Sequence, residues 1–553
     1  MRGRLMNIKI GGYVWLLKSE LSSSNVENMC NALTVFPRNT SDMKSRDPSP
    51  IRLYVDQGDV FGVPWGFFKK HVKDGSGHVF EQELSDGFDM MPFKSSLTFE
   101  GPYREQAVAI DHILDCMKLD KWGGYIIQGG TGFGKSNTAL GLAEKLRKST
   151  LIVVHKEFLM RQWADRITGN SERNIKGLFP DARVGFIQED RCEYGPDYDF
   201  TIAMIHSLAK EDGTRYPAEM YNSFGLVMSD ETHRVAAKTW APVMPMFSAR
   251  WRIGLSATLR RKDGAEDVFF QHIGEIEYVA KTKMLVPVVR RMFSETELHS
   301  ERIKGKNGYF TVKPDKLRSV YAVKQICDDD FRTGYVCDDA LKAVYSSTMR
   351  KVMIISDRLD HLRKMRDYLY RRIEQSGAGK YMKSAPTVDF YTGDWYTGEL
   401  IEKKEPVLDE SMNPIKERVG KSLRIKKQVV KDKDGNPVMI EKTKRRSEAE
   451  LLKAERANII LATKHMVSEG LDIPSLDTIV LGVPFSDVEQ MIGRGVRRCL
   501  PDEGKCEHFC PWRSGVCQKK PDPMVADMVD ERIPWAVRKW KYRKRFYRKI
   551  GAL

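Results

Sequence analysis

Short apolar runs recur along this chain with polar, helix-forming stretches between them. YIIQ, LIVVH, RVGFI, FTIAMI, FGLVMS and RIGLS follow one another from Tyr125 to about Val279. Continuous runs, rather than strict alternation, mark strands buried on both faces. The pattern therefore predicts a parallel sheet covered by helices on both sides. A second series follows: VMIISD, TVDFYTG, ANIILAT and TIVLGV. The expected fold class is α/β, with two parallel-sheet domains in tandem.

The flanks read differently. Within residues 1–97, IRLYVDQGDVFGVPWGFF mixes β-formers with Gly and Pro, which predicts a small α+β accessory module. Ala107, Ile110, Ile113 and Leu114 have helical spacing and open the first sheet domain, 98–285. The second domain spans 286–534. It carries an insert over about 395–450, with twelve Lys/Arg against four Asp/Glu between Lys416 and Arg446. Asp434-Gly435 within it reads as a hairpin turn. The insert is either a solvated excursion or a basic hairpin that touches nucleic-acid backbone. The tail, 535–553, interleaves basic residues with Trp540, Tyr542, Phe546 and Tyr547. A helix there would pack its aromatic stripe and leave a basic face.

Length and charge narrow the class. The chain has 553 residues, 91 Lys plus Arg, 75 Asp plus Glu, and a net charge of +16. That excess favours a polyanionic partner. The sequence holds no apolar run long enough to span a bilayer and no signal-peptide pattern at its start. An intracellular, non-secreted protein with no membrane partner is expected. Nine cysteines in so long a chain are not a disulfide framework.

One motif carries specific chemistry. GGTGFGKS, residues 129–136, fits G-x-x-x-x-G-K-[ST] and lies between a strand and a helix, the context the motif requires. Gly129, Thr131, Gly132 and Gly134 shape a loop whose backbone N–H groups wrap nucleotide phosphates, and the helix N-terminus adds positive charge. Lys135 is expected to reach the β- and γ-phosphates, and Ser136 to ligate Mg²⁺. FGLVMSDETH then ends a buried strand in acid. Asp230 is placed to hold the Mg²⁺ of ATP, and Glu231 to orient and deprotonate the attacking water.

These motifs resemble those of superfamily 2 helicases, whose fold is two tandem RecA-like domains. Asp230-Glu231-Thr232-His233 resembles the DExH box, and Ser256-Ala257-Thr258 the SAT motif linking hydrolysis to nucleic-acid movement. VEQMIGRGVRR, residues 488–498, resembles the last helicase motif. The resemblance implies that Gln490 meets the box and that Arg494 and Arg497 are arginine fingers. LATKHMVSEGLDIP, residues 461–474, implies coupling of ATP and strand contacts through Thr463, Gly470 and Asp472. Gln106, in PYREQ, matches the adenine-sensing position. Arg261-Lys262-Asp263 and VGFIQED place the likeness in the XPB/UvsW-like group, with phage and large-virus members that include the poxvirus transcript-release helicase. Lys262, the insert and the cysteine cluster depart from the family core.

From this follows an expected ATPase that translocates on duplex, branched or single-stranded DNA as a monomeric motor, in a host cell or virion if viral. Transcription complexes are candidate targets. An RNA helicase and a scaffold with a dead ATPase are the alternatives. Strand-tracking loops are expected after strand ends, at His155-Lys156, His206-Ser207, Ser356-Asp357-Arg358 and Thr392-Gly393. Finally, Cys499, Cys506, Cys510 and Cys517 form a cluster with spacings x6, x3 and x6. Four thiolates suit structural Zn²⁺. An iron–sulfur cluster or plain reduced thiols would fit the same residues.

Overall fold

The computed structural model describes the chain except residues 1–6, 39–48, 72–78, 101–102, 131, 172–174, 211–213, 235–237, 239–240, 258, 262, 282–285, 306–307, 347–349, 377–384, 403, 407–415, 420–421, 426, 431–436, 438, 471–472, 474 and 496–521. Thr131, Thr258, Lys262, Asp472, Arg497 and the four clustered cysteines thus lie outside the described residues. The chain divides into two compact units, with the change near residues 285–286.

In the first unit the apolar runs become strands of one sheet. Its order is Arg191–Cys192, Val184–Gln188, Phe200–Met204, Thr150–Val154, Leu226–Asp230, Trp251–Ser256, Gly123–Gln128 and Ile276–Val279. All neighbours are parallel except the Arg191–Cys192 edge. Thr150–Val154 and Phe200–Met204 are buried at every position. That burial explains their unbroken apolar character. The helices Arg104–Asp120, Lys135–Leu146 and Glu157–Thr168 pack into one core with the sheet.

The opposite core of this sheet is shared with the N-terminal residues. These form a five-stranded sheet built on Asn7–Ile10, Val14–Leu17, Val55–Gln57, Val60–Val63 and Val79–Gln82, with the helix Trp65–His71. Val14, Phe61, Trp65 and Phe68 join Val227, Phe247 and Phe269 in a single apolar cluster. The described N-terminal residues therefore share a core with the first sheet. Two glycines permit this approach. A Cβ on Gly12 would fall 1.8 Å from the Pro245 carbonyl oxygen, and one on Gly66 2.6 Å from that of Phe270.

Arg252 sits at the centre of the junction, fully buried. Its guanidinium donates to the carbonyls of His272 (2.8 Å), Gly12 (2.7 Å) and Phe247 (3.0 Å), and lies 3.7 Å from the Trp65 ring centroid. Burial lowers its pKa to about 9, so it remains cationic at neutral pH.

The second unit holds a six-stranded all-parallel sheet, ordered Val288–Ser294, Met524–Asp530, Thr478–Leu481, Val352–Ser356, Ile459–Thr463 and Val388–Tyr391. The tail forms the helix Pro534–Lys549 and belongs to this unit. Its buried residues are Ala536, Arg543 and Tyr547, not a purely aromatic stripe. Arg543 Nε pairs with Asp527 Oδ2 at 2.8 Å, and the Tyr547 hydroxyl donates to the same oxygen at 2.7 Å. A second buried pair, Arg332–Asp530 at 2.6 Å, lies along the same strand.

The basic insert is an antiparallel arm. Asp394–Glu402 pairs with Met439–Arg445, Lys404–Pro406 with Lys427–Val429, and Lys416–Val419 with Ser422–Ile425. Val419 faces Ser422. Asp434-Gly435, the expected hairpin turn, lies outside the described residues. The arm's base is fixed to its unit. Trp395 stacks on Phe390 at 3.6 Å between centroids, and Arg363 covers Tyr396 at 3.8 Å while pairing with Glu441 at 2.7 Å.

Candidate active site

Three strands of the first sheet end side by side. Trp251–Ser256 lies between Gly123–Gln128 and Leu226–Asp230, and all three run the same way. Their carboxyl ends bring together the glycine-rich loop, the acidic box and Ser256. Parallel sheets present their ligands at this edge.

The loop is held by backbone contacts. The Gly129 N–H donates to Ser256 O at 3.0 Å. Gly132 and Gly134 have φ of +92° and +88°. A Cβ at Gly134 would lie 2.4 Å from Gln106 Nε2, and one at Gly129 2.5 Å from the Phe133 ring. Lys135 begins the helix Lys135–Leu146, and its Nζ donates to Gly129 O at 2.9 Å, bridging the mouth of the loop. Ser136 is half-buried beside it. Gln106 is buried and donates to Phe133 O at 2.9 Å, so its amide braces the loop from behind.

At the acidic box, Asp230 Oδ2 accepts from Trp163 Nε1 at 2.9 Å, and Oδ1 accepts the Glu231 N–H at 3.0 Å. Burial, then the neighbouring Glu231 charge, pushes the Asp230 pKa up, while Trp163 and Lys135 oppose the shift. Glu231 has φ +50°, a left-handed conformation uncommon outside Gly. Its Oε2 lies 3.4 Å from His233 Nδ1 and makes no hydrogen bond among the described residues. His233 Nδ1 is also 3.2 Å from Ser256 Oγ. Burial and the nearby Arg234 and Arg261 lower the His233 pKa to about 4, leaving a neutral ring.

The Arg261-Asp263 pair has a structural role. Arg261 donates to the His233 carbonyl and is held by Asp263 at 2.8 and 2.5 Å. It clasps the acidic box from the following loop. Neither Trp163 nor this clasp is legible in the sequence. Trp163 meets Asp230 across 67 positions of chain, and no spacing rule encodes such a contact.

The donor set suits a polyphosphate with a hard cation. The loop offers unencumbered backbone and an ammonium, and a Mg²⁺ ion at Asp230 would offset the carboxylate's burial. Ser136 and Asp230 are the residues placed to hold it.

In the second unit, Thr463 ends the strand Ile459–Thr463, half-buried. Gly470 ends the helix Lys464–Gly470. Gln490 and Arg494 belong to the helix Glu489–Gly495.

The expected strand-tracking loops divide. Lys156 is the N-cap residue of the helix Glu157–Thr168, with its pKa lowered by burial and by Arg234. His155 is buried, has no hydrogen-bond partner on either ring nitrogen among the described residues, and is held neutral with a pKa of about 3, first by burial. His206 is exposed and Arg358 half-buried. Two hydroxyls are not offered outward. Ser207 is buried and accepts the Glu189 N–H at 3.0 Å, and Thr392 is buried and donates to Asp394 O at 2.8 Å.

The chain is similar to several known proteins. Residues 100–261 match the family described as type III restriction enzyme, res subunit. A protein of Acanthamoeba polyphaga mimivirus, named as an ATP-dependent RNA helicase, is 26% identical over 500 residues, covering 89% of this chain and 79% of its own. A protein of Escherichia phage T5 named as a probable helicase is 26% identical over 248 residues, covering 45% of this chain and 48% of its own. The crystal structure of T4 UvsW aligns over 99% of this chain and 98% of its own, at 15% identity and a TM-score of 0.34.

Proposed function

We propose that the chain is a superfamily 2 helicase that hydrolyses ATP, and that it is a translocase acting on duplex or branched DNA. The observation that carries this reading is the shared edge of the first sheet, where Gly129–Ser136, Asp230-Glu231 and Ser256 meet. Gly129, Thr131, Gly132 and Gly134 cradle the phosphates, and Gln106 reads the base. Lys135 leaves Gly129 O to meet the terminal phosphates. Ser136 and Asp230 hold Mg²⁺, which when bound supplies charge neutralisation at the phosphates. Glu231, in its left-handed conformation and with Oε2 open to a new hydrogen bond, orients the water and takes its proton. Neutral His233 joins the box to Ser256, so a change at the nucleotide reaches the SAT loop.

For Gln490, Arg494 and Arg497 we carry over the ATP-contacting roles that the resemblance to the last helicase motif implies, and for Gly470 and Asp472 the coupling of ATP to the strand. An arginine finger is worth about 10³–10⁵ in rate. His155, Lys156, His206, Arg358 and Thr463 track the backbone. Cys499, Cys506, Cys510 and Cys517 are proposed to hold a structural zinc, as their four thiolates suit that ion. The motor works as a monomer on duplex or branched DNA or on transcription complexes, in the host cell or virion if viral.

An RNA track is the second reading, favoured by the name carried by the mimivirus relative. ATPase rates with single-stranded, duplex and branched DNA and with RNA, compared side by side, separate the two. Stimulation by RNA alone would overturn the DNA assignment.

A further inference from the structure

Away from the nucleotide site, the outer face of the helix Arg104–Asp120 carries His112 and Cys116, one turn apart. The neighbouring edge strand Ile276–Val279 brings Glu277 against both. Glu277 Oε1 is 3.0 Å from His112 Nε2 and 3.4 Å from Cys116 Sγ, and Sγ is 3.9 Å from Nε2. The His112 and Glu277 side chains are 45% and 34% exposed, so an ion from solvent can reach them.

Those separations are informative. Around a tetrahedral Zn²⁺, with bonds of about 2.0–2.3 Å, neighbouring nitrogen, oxygen and sulfur ligands stand roughly 3.3–3.6 Å apart. The three observed edges bracket that range, so an ion can enter with small side-chain adjustments. Nitrogen, thiolate and carboxylate are also zinc's ordinary donors. Asp115 and Asp120, both close enough to act on the thiol, add negative charge around it.

We propose that His112, Cys116 and Glu277 form a zinc site, with water in the fourth position. It shares no residue with the cluster Cys499, Cys506, Cys510 and Cys517. The site joins the helix that carries Gln106 to the sheet's last strand, after which the chain leaves the first unit. A bound ion would replace the hydrogen bonds of this triad with a firmer cross-link between the two elements.

A cysteine ligates zinc as the thiolate and so must shed its proton on binding. Zinc must therefore displace a proton as it binds, and affinity should rise with pH.

The test uses the full chain, stripped with chelator and dialysed against Zn²⁺. Wild type should bind about one more zinc per chain than His112→Ala/Cys116→Ser. Counting the difference removes any contribution from the other cysteines. Co²⁺ in place of zinc should give a thiolate charge-transfer band that weakens in Cys116→Ser by one thiolate's share. Glu277→Gln guards against misfolding. It keeps the size and should melt like wild type when metal-free, yet gain less thermal stability from added zinc. Calorimetry in two buffers of different ionisation enthalpy should show a proton released in wild type and not in Cys116→Ser. Equal zinc content in wild type and the double variant would overturn the site and leave a hydrogen-bonded surface triad.

Discussion

Lys135 and Glu231 are single side chains on which hydrolysis should turn. Lys135→Ala should abolish ATPase activity while leaving nucleic-acid affinity nearly unchanged, since the loop and the tracking residues are separate surfaces. Steady-state turnover and filter binding on one preparation check this, and wild-type turnover would sink the assignment. Glu231→Gln should keep nucleotide binding and slow hydrolysis by about 10²–10⁴, the usual worth of a positioned base. At the same scale lies a pH effect. His272 is buried, its pKa lowered to about 3 by burial and then Arg252, and its Nδ1 has no hydrogen-bond partner among the described residues. The unfolded chain takes up a proton near pH 6.5 that the folded ring refuses. This His therefore costs stability progressively as pH falls from about 6.5 towards 3, up to about 1.4 kcal/mol per pH unit. His272→Leu removes that cost. Its melting temperature relative to wild type should rise between pH 7 and pH 5, and a constant difference would contradict the assignment.

At the scale of elements, much is legible in the sequence and some is not, for definite reasons. The parallel strands are readable because burial on both faces demands unbroken apolar runs. The loop Gly129–Ser136 is readable because its glycines answer local steric demands. The tail is readable only in part, because a basic residue carries no mark of burial. Arg543 looks like its neighbours in sequence, yet it alone of the tail's cations is fully buried, opposite Asp527. Removing one partner of such a pair costs about 3–5 kcal/mol, whereas replacing both with apolar groups is often neutral. Arg543→Ala should therefore lower the melting temperature sharply, and Arg543→Met with Asp527→Leu should recover most of the loss. Equal melting of single and double variants would show that packing, not the pair, holds the helix.

Across the whole molecule, the basic arm is the feature whose use can be measured directly. It stands outside every nucleotide motif, and its base is fixed by Trp395 and Arg363. Deleting residues 403–438 and keeping that base should leave basal ATPase intact and weaken stimulation by DNA. The slope of log affinity against log salt should become shallower, by about 0.9 for each duplex phosphate that the arm had neutralised. An unchanged slope would make the arm a protein-docking element.

Arg252 suggests the opposite response to salt. Its positive charge is met by three carbonyl dipoles and a Trp65 ring, with no counter-ion among the groups that contact it. The protein interior acts here as a fixed solvation shell, and mobile ions cannot penetrate to screen it. Seating of the first 97 residues should thus be indifferent to ionic strength. A high-salt wash would strip bound polyanion from the protein, while those residues stay as resistant to protease as they were in dilute buffer.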